Sequence, residues 1–305
     1  MTSPARQRLD YLLFRGLYLV AGRLPHAAQL AVGRALGAFV WHVVRFRRAV
    51  VLDNLQHAFG AERSPDEIRA LAAAFYRNLG MTLMEFLAMP RLDPASVTRL
   101  VRIEGVEHLE DLRRRGRGAL LVSGHFGNWE LMGARIAAEG QPVNFIVKTQ
   151  HNERVDALQN AIRHRVGIGT IRSGANIKDM IRALRRQEWI GMLADQDARS
   201  DGIFCDFLGR PASVFRGAAY LAWKLDCPLI TGFIYREPDG THVVRVDPPV
   251  EPDRNLDEEE AVRRLTEVHV RRLEAAVRRA PDHYFWLHRR WKTRPPEARN
   301  EQETA

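Results

Sequence analysis

The hydrophobic and polar positions of this chain change their period near residue 100. Before that point apolar residues recur at helical spacing, and Leu71, Phe75, Leu79 and Leu83 stand four residues apart, as in the buried stripe of an α-helix. From Val101 onwards, short apolar runs alternate with segments of helical length. This change predicts a helical N-terminal part followed by a part that contains a β-sheet.

The short apolar runs predict strands, and the stretches between them predict helices. The predicted strands are residues 101–103, 119–123, 143–147, 190–193, 229–235 and 242–246. The predicted helices are residues 131–139, 152–166, 176–186, 214–225 and 256–279. Strands that alternate with helices predict an α/β fold with a mainly parallel central sheet flanked by helices.

The sequence predicts a helix that begins after Ser64. Ser64 is a typical N-cap residue, Pro65 suits the first helical position, and Glu67 is placed to complete a capping box. We predict that this helix runs to about Ala88, because Pro90 follows.

The N-terminal part contains two apolar segments. Residues 9–22 are apolar but short and carry Arg15, whereas residues 26–46 are long enough to span a bilayer but carry Arg34 near their middle. A charge in hydrocarbon costs about 3 kcal/mol or more. The pattern therefore predicts an amphipathic helical pair that lies on, or dips into, a bilayer. Two core helices of a soluble domain are the alternative.

Charge narrows the choice of partner. Lys and Arg number 46 against 37 Asp and Glu, a formal net charge of +9, which favours an anionic membrane, nucleic acid or acidic protein as partner. No nucleic-acid-binding module is recognisable, so we predict no nucleic-acid partner. The two cysteines, Cys205 and Cys227, have no metal-site spacing and are predicted to be reduced thiols.

The candidate chemistry lies where the run at 119–122 ends. The sequence there reads Gly124-His125-Phe126-Gly127-Asn128-Trp129-Glu130. On one continuous helix His125 and Glu130 would point about 140° apart, so they can meet only if a helix begins between them, with Asn128 as its N-cap. We predict that Glu130 hydrogen-bonds one imidazole nitrogen and leaves the other as a base. A buried structural histidine and a solvated glutamate are the alternative.

These residues carry a resemblance to a known family. The segment 124–130 is similar to the His-x4-Glu signature of the late, or secondary, acyltransferases of lipid A biosynthesis, a branch of the lysophospholipid acyltransferase superfamily. Three further segments resemble the family in the same order. They are Ala194-Asp195-Gln196-Asp197, Phe207-Leu208-Gly209-Arg210-Pro211-Ala212 and Trp286-Leu287-His288-Arg289-Arg290-Trp291-Lys292-Thr293-Arg294-Pro295.

The resemblance implies an enzyme of the cytoplasmic side of the cell inner membrane. It would move a fatty acyl chain from acyl carrier protein to a hydroxyl of a lipid A precursor, without a cofactor or metal ion. Residues 1–60 would form the membrane-associating region and residues 61–305 the acyltransferase domain. Another glycolipid or a lysophospholipid as acceptor, coenzyme A as donor, and a non-catalytic membrane-associated lipid-binding protein stay open as alternatives.

The resemblance also implies roles for individual residues. His125 and Glu130 would be catalytic, and main-chain N–H groups of residues 127–129 are candidates to bind the oxyanion. The implied substrate-binding residues are Asn128, Arg163, Asp195, Asp197, Arg289 and Arg290. Arg163 and Asp195 are expected to order the acceptor site or bind its phosphates, as an Arg–Asp pair, with a structural ion pair as the alternative. Lys148 lies near the position of the family's Tyr-Arg-Pro segment, but the sequence there reads Val147-Lys148-Thr149. The resemblance therefore implies no role for Lys148.

Overall fold

The N-terminal part of the chain is helical, as predicted. The structure is a computed structural model, and it describes residues 3–174 and 177–295. The first helices are α1 (Pro4–Ala21), α2 (His26–Phe39), α3 (Arg48–Phe59) and α4 (Pro65–Ala88), and a π-helical turn, Val40–Val44, extends α2. Helix α4 begins with the predicted capping box, in which Ser64 Oγ accepts from Glu67 N–H and the Glu67 carboxylate accepts from Ser64 N–H.

The rest of the described chain forms a sheet with helices on its faces. The helices are α5 (Pro94–Leu100), α6 (Val106–Arg114), α7 (Trp129–Ala138), α8 (Glu153–Arg165), α9 (Ile177–Arg185), α10 (Gly217–Leu225) and α11 (Glu258–Arg279). The strands are β1 (Val101–Glu104), β2 (Ala119–Ser123), β3 (Val143–Val147), β4 (Ile168–Arg172), β5 (Trp189–Leu193), β6 (Ile203–Phe207), β7 (Arg210–Val214), β8 (Leu229–Arg236) and β9 (His242–Val246).

The sheet is mainly parallel, which confirms the predicted fold class. Its strand order is β1-β9-β8-β2-β5-β3-β4, and within it β8 and β9 pair antiparallel. The central strands β2 and β5 are parallel neighbours. Because parallel strands present their carboxyl ends at one edge, the loops that follow β2 and β5 lie side by side.

Every predicted strand is present, but three observed strands were not predicted. Strand β4 contains only two large apolar residues, Ile168 and Ile171, too few for a recognisable run. Strands β6 and β7 form a separate antiparallel hairpin that turns at Leu208 and Gly209, both at positive φ. Residue 176, where one predicted helix begins, lies outside the described residues.

Most of the exposed large apolar side chains in the described residues lie in the N-terminal part of the chain, between residues 9 and 46. They are Leu9, Leu12, Leu13, Leu19, Val20, Val32, Phe39, Val43, Val44 and Phe46, each at least 39% exposed. The helical stretch His26–Val44 is long and apolar enough to cross a bilayer, judged by length and composition, and 22% of that window is buried in the protein. We call these ten side chains the N-terminal apolar face.

Candidate active site

The sheet register brings His125 against Asp195. Ser123 at the end of β2 lies opposite Leu193 at the end of β5, and the ladder continues as Ala194 N–H donates to Ser123 O at 3.1 Å. Two residues further along each strand come His125 and Asp195. Their side chains meet, with 2.7 Å between His125 Nδ1 and Asp195 Oδ1.

Two glycines shape the loop that carries His125. A Cβ at Gly124 would lie 2.7 Å from Leu273 Cδ1 and 3.3 Å from Asp195 Cβ, so a larger residue there would require Leu273 and Asp195 to shift. Gly127 has φ +58°, and a Cβ there would lie 2.0 Å from Ile234 O. Any other residue at Gly127 would meet both left-handed backbone strain and main-chain overlap.

The C-terminal segment 283–285 forms main-chain hydrogen bonds with this loop. Phe285 N–H donates to His125 O at 2.9 Å, and Gly127 N–H donates to His283 O at 2.8 Å. The ring of Phe285 lies 5.7 Å from the His125 ring, and Trp129 meets the same imidazole edge-on at 5.0 Å. Aromatic contacts and the hydrogen bond to Asp195 therefore fix the orientation of the imidazole.

The charges around His125 favour its protonated form. Burial lowers the pKa of His125, but the attraction and hydrogen bond of Asp195, together with the charge of Glu130, outweigh burial and raise that pKa above its ordinary value. Burial would raise the pKa of Asp195, yet its contacts with His125 lower it. Asp195 is thus an anion that holds the Nδ1 proton, and Nε2 has no hydrogen-bond partner among the described residues.

Glu130 does not make the predicted hydrogen bond to His125, and this is a correction. Arg163 Nε donates to both carboxylate oxygens of Glu130, at 3.1 and 3.0 Å, and Arg163 Nη2 donates to Oε1 at 2.6 Å. The reason is geometric, because the bidentate guanidinium of α8 faces the first turn of α7. Glu130 acts on the pKa of His125 through its charge.

The predicted pair of Arg163 with Asp195 is likewise wrong. Arg163 pairs with Glu130, and Asp195 pairs with His125. Arg163 also donates to Asn160 Oδ1 at 3.0 Å, and its guanidinium lies 5.8 Å from the Phe86 ring centroid. Arg163 therefore links α8, α7 and α4 rather than reaching the Asp195 loop.

Asn128 lies in the protein interior. It is fully buried, its Oδ1 caps α7 by accepting from Leu131 N–H at 3.2 Å, and its Nδ2 donates to Glu85 Oε2 at 2.8 Å. Both the Oδ1 and the Nδ2 atom of Asn128 are therefore engaged with protein groups. This position does not support the predicted contact of Asn128 with substrate. The N-cap role that the sequence predicted is confirmed.

The remaining predicted binding residues differ in exposure. Arg290 is 2% exposed and donates to Ser213 O at 2.7 Å, so the contacts that the structure gives it are with protein, and its role in substrate binding stays a prediction. Arg289 is exposed. Asp197 is buried, accepts from Thr293 Oγ1 at 2.9 Å through Oδ2, and has no hydrogen-bond partner for Oδ1 among the described residues. Arg289 and Asp197 stay predictions as binding residues.

One of the predicted oxyanion donors is already engaged. Gly127 N–H donates to His283 O, so it is not free for an oxyanion. The N–H groups of Asn128 and Trp129 have no hydrogen-bond partner in the described chain. Lys148, by contrast, lies exposed beyond β3.

Sequence reasoning placed Asp195 at the correct sheet edge but gave it the wrong partner. It also missed Tyr284, whose hydroxyl donates to Asp195 O at 3.3 Å, and Phe285. The order and register of the strands place the pair, because β2 and β5 are parallel neighbours in which Ser123 lies opposite Leu193. The described residues contain no group of three His, Cys, Asp or Glu side chains placed to hold a metal ion.

Comparison with known proteins gives one consistent family. The family model described as bacterial lipid A biosynthesis acyltransferase matches residues 3–293. A lipid A biosynthesis lauroyltransferase of Escherichia coli (strain K12) is 30% identical over 95% of this chain and 93% of its own length. A palmitoleoyltransferase of lipid A biosynthesis from the same organism is 26% identical over 90% of this chain and 88% of its own.

A solved structure is also similar in part. The 1-acyl-sn-glycerophosphate acyltransferase of Thermotoga maritima superposes with a TM-score of 0.38 at 16% identity, covering 81% of this chain and 98% of that one.

Proposed function

The chain belongs to the bacterial lipid A biosynthesis acyltransferase family, and on that premise we propose that it transfers a fatty acyl chain from an acyl thioester to a hydroxyl of a lipid A precursor. The observation that carries the proposed mechanism is the pair of His125 and Asp195, 2.7 Å apart at the carboxyl edge of β2 and β5. In this pair Asp195, and not Glu130, orients the imidazole.

The proposed reaction needs no acyl-enzyme. His125 Nε2 takes the proton of the acceptor hydroxyl while that oxygen attacks the thioester carbonyl. The tetrahedral oxyanion accepts hydrogen bonds from main-chain N–H groups, for which Asn128 and Trp129 are the candidates. Collapse breaks the C–S bond, and the imidazolium returns its proton to the leaving thiolate. An ester and a free thiol result.

Glu130 and Arg163 have a positioning role in this proposal. Their bidentate ion pair joins the first turn of α7 to the last turn of α8. Because the His125 loop leads directly into α7, the pair holds that loop at its far end. The negative charge of Glu130 also helps to keep the imidazolium stable during the reaction.

We propose acyl carrier protein as the donor and the inner membrane, on its cytoplasmic side, as the location. Acyl carrier protein is acidic, and the chain carries a formal net charge of +9, so the two attract each other. The lipid acceptor would reach His125 from the bilayer. Helix α1 runs beside the start of α8, where Asn152 Nδ2 donates to Gln7 O at 2.7 Å, so a helix that carries part of the N-terminal apolar face lies near the carboxyl edge of the sheet.

The test of the reaction is acyl transfer with purified full-length protein in neutral detergent micelles. Labelled acyl groups would be offered on acyl carrier protein or on coenzyme A, with a lipid A precursor that lacks secondary acyl chains as acceptor. We expect transfer to the precursor, faster from the carrier protein, and a rate at least about 10²-fold lower with His125→Ala. Transfer only to another glycolipid would overturn the acceptor, and no transfer from the carrier protein would overturn the donor.

The membrane role of the N-terminal apolar face predicts a loss of vesicle binding. Leu12 and Leu13 are 53% and 60% exposed, and inserting each into a bilayer is worth about 1.5–3 kcal/mol. The Leu12→Gln/Leu13→Gln protein should therefore bind phosphatidylglycerol-containing vesicles at least about tenfold more weakly in flotation. Phe215→Gln, at a 47% exposed site outside the face, is the control. Equal losses in both proteins would refute a dedicated membrane face.

A further inference from the structure

A cavity of about 610 Å³ lies apart from the His125 site. It is formed by the turn between α1 and α2, by the segment from the end of α4 through α5, and by Leu131 of α7. Neither His125 nor Asp195 lines it. Its walls are in large part apolar, with Leu24, Leu92 and Leu100 among them.

Three arginines of this cavity are not engaged in ion pairs within the described residues. Arg23, Arg91 and Arg99 line it, and each donates to an uncharged acceptor, a main-chain carbonyl or a serine hydroxyl. None of the three forms an ion pair within the described chain. All three are exposed, so their guanidinium groups are available to a ligand.

The carboxylate in the cavity wall is already neutralised. Glu85 accepts from Arg236 at 2.5 and 2.7 Å, from Asn128 at 2.8 Å, and lies 3.0 and 3.1 Å from the Nε2 atoms of His242 and His26. Burial would raise the pKa of Glu85, but these partners lower it well below its ordinary value. The charge that faces the cavity is therefore positive.

We propose that this cavity binds the phosphate group of an anionic lipid. Guanidinium groups match phosphate oxygens in geometry and charge, while the leucine walls suit the first carbons of the lipid tails. The position supports a lipid over a free ion, because the cavity lies at the turn between the two helices that carry the N-terminal apolar face. A lipid in the bilayer would place its phosphate group at this turn.

The test measures binding, so it does not depend on acyl transfer. The probe is water-soluble dihexanoyl phosphatidic acid, titrated by calorimetry into full-length protein in neutral detergent below the lipid's own micelle concentration. Dihexanoyl phosphatidylcholine and inorganic phosphate are compared in parallel. The variants are Arg91→Gln/Arg99→Gln for the charges and Leu92→Gln for the wall. Arg8→Gln is the matched control, since Arg8 is exposed on α1 outside the cavity.

We expect the double arginine variant to bind phosphatidic acid at least about tenfold more weakly, as is typical for loss of charge-assisted hydrogen bonds, and Arg8→Gln to bind as wild type. Leu92→Gln should weaken the binding of phosphatidic acid and leave the binding of inorganic phosphate unchanged. An equal loss in Arg8→Gln would reduce the effect to general surface charge and overturn the site. Equal affinity for inorganic phosphate would overturn the lipid as ligand.

Discussion

Replacing His125 by alanine is expected to lower kcat for acyl transfer by about 10²–10⁴-fold, the usual contribution of a general base. Asp195→Asn should cause a loss of the same order. An asparagine can turn its NH₂ group towards Nδ1, which would leave the proton on Nε2, the atom that must be free to accept one. The measurement is single-turnover transfer with both substrates saturating, and the double variant should lose little more than either single one.

The pH profile provides the control for that prediction. The pKa of His125 is raised by Asp195, and the base must be neutral, so the acid limb of kcat/KM in the wild type should lie above the ordinary histidine value of 6.5. Residual activity of Asp195→Asn should show this limb at lower pH. Asp53→Asn, which alters an exposed pair with His57 at 3.4 Å, should leave rate and profile unchanged. Independent, additive losses from His125→Ala and Asp195→Asn would contradict the pair.

Replacing Glu85 by alanine is expected to reduce the free energy of unfolding by about 3–5 kcal/mol. The carboxylate is 2% exposed and is the shared partner of Arg236 and His242, whose side chains are 9% and 1% exposed. Its removal leaves a guanidinium inside the protein without a counter-ion. The measurement is the urea midpoint in neutral detergent at pH 7, with the slope of the transition checked for two-state behaviour.

An exposed pair is the control for Glu85. Glu62 and Arg278 are 3.1 Å apart with side chains 58% and 42% exposed, and Glu62→Ala should change the free energy of unfolding by about 1 kcal/mol or less. The folded-state pKa of Glu85 lies below its ordinary 4.5, so its contribution is complete above that pH and is lost as pH falls through the folded-state pKa. A midpoint for Glu85→Ala equal to that of Glu62→Ala would disprove the role of the network.

The strands that position the site could be predicted because each is a local apolar run. Strand β2 and the start of the helix at Asn128 follow from neighbouring residues alone. The partner of His125 could not be predicted in this way, because β2 and β5 are separated by β3 and β4 in sequence and adjacent only in space. Local spacing favoured Glu130, five positions away, over Asp195, which is seventy positions away.

The burial of Glu85 is indicated by its neighbours in the sequence. Met84, Phe86 and Leu87 surround this glutamate on a helix whose apolar stripe was correctly assigned to the core. Burying an unpaired carboxylate in such a position costs several kcal/mol of folding free energy, which a paired arginine can offset. The position of Glu85 therefore implies a partner of opposite charge. Its identity, Arg236 on β8, again depended on the sheet order.

The role of Asp195 is tested most directly by the tautomer of His125, read from ¹⁵N shifts of histidine-labelled protein in neutral detergent and assigned through His125→Ala. With Asp195 as its partner, the neutral imidazole should carry its proton on Nδ1 in the wild type and in Glu130→Gln, and should lose this preference in Asp195→Asn. A tautomer that changes in Glu130→Gln and persists in Asp195→Asn would rule out this role of Asp195, because it would make Glu130 the residue that orients the base.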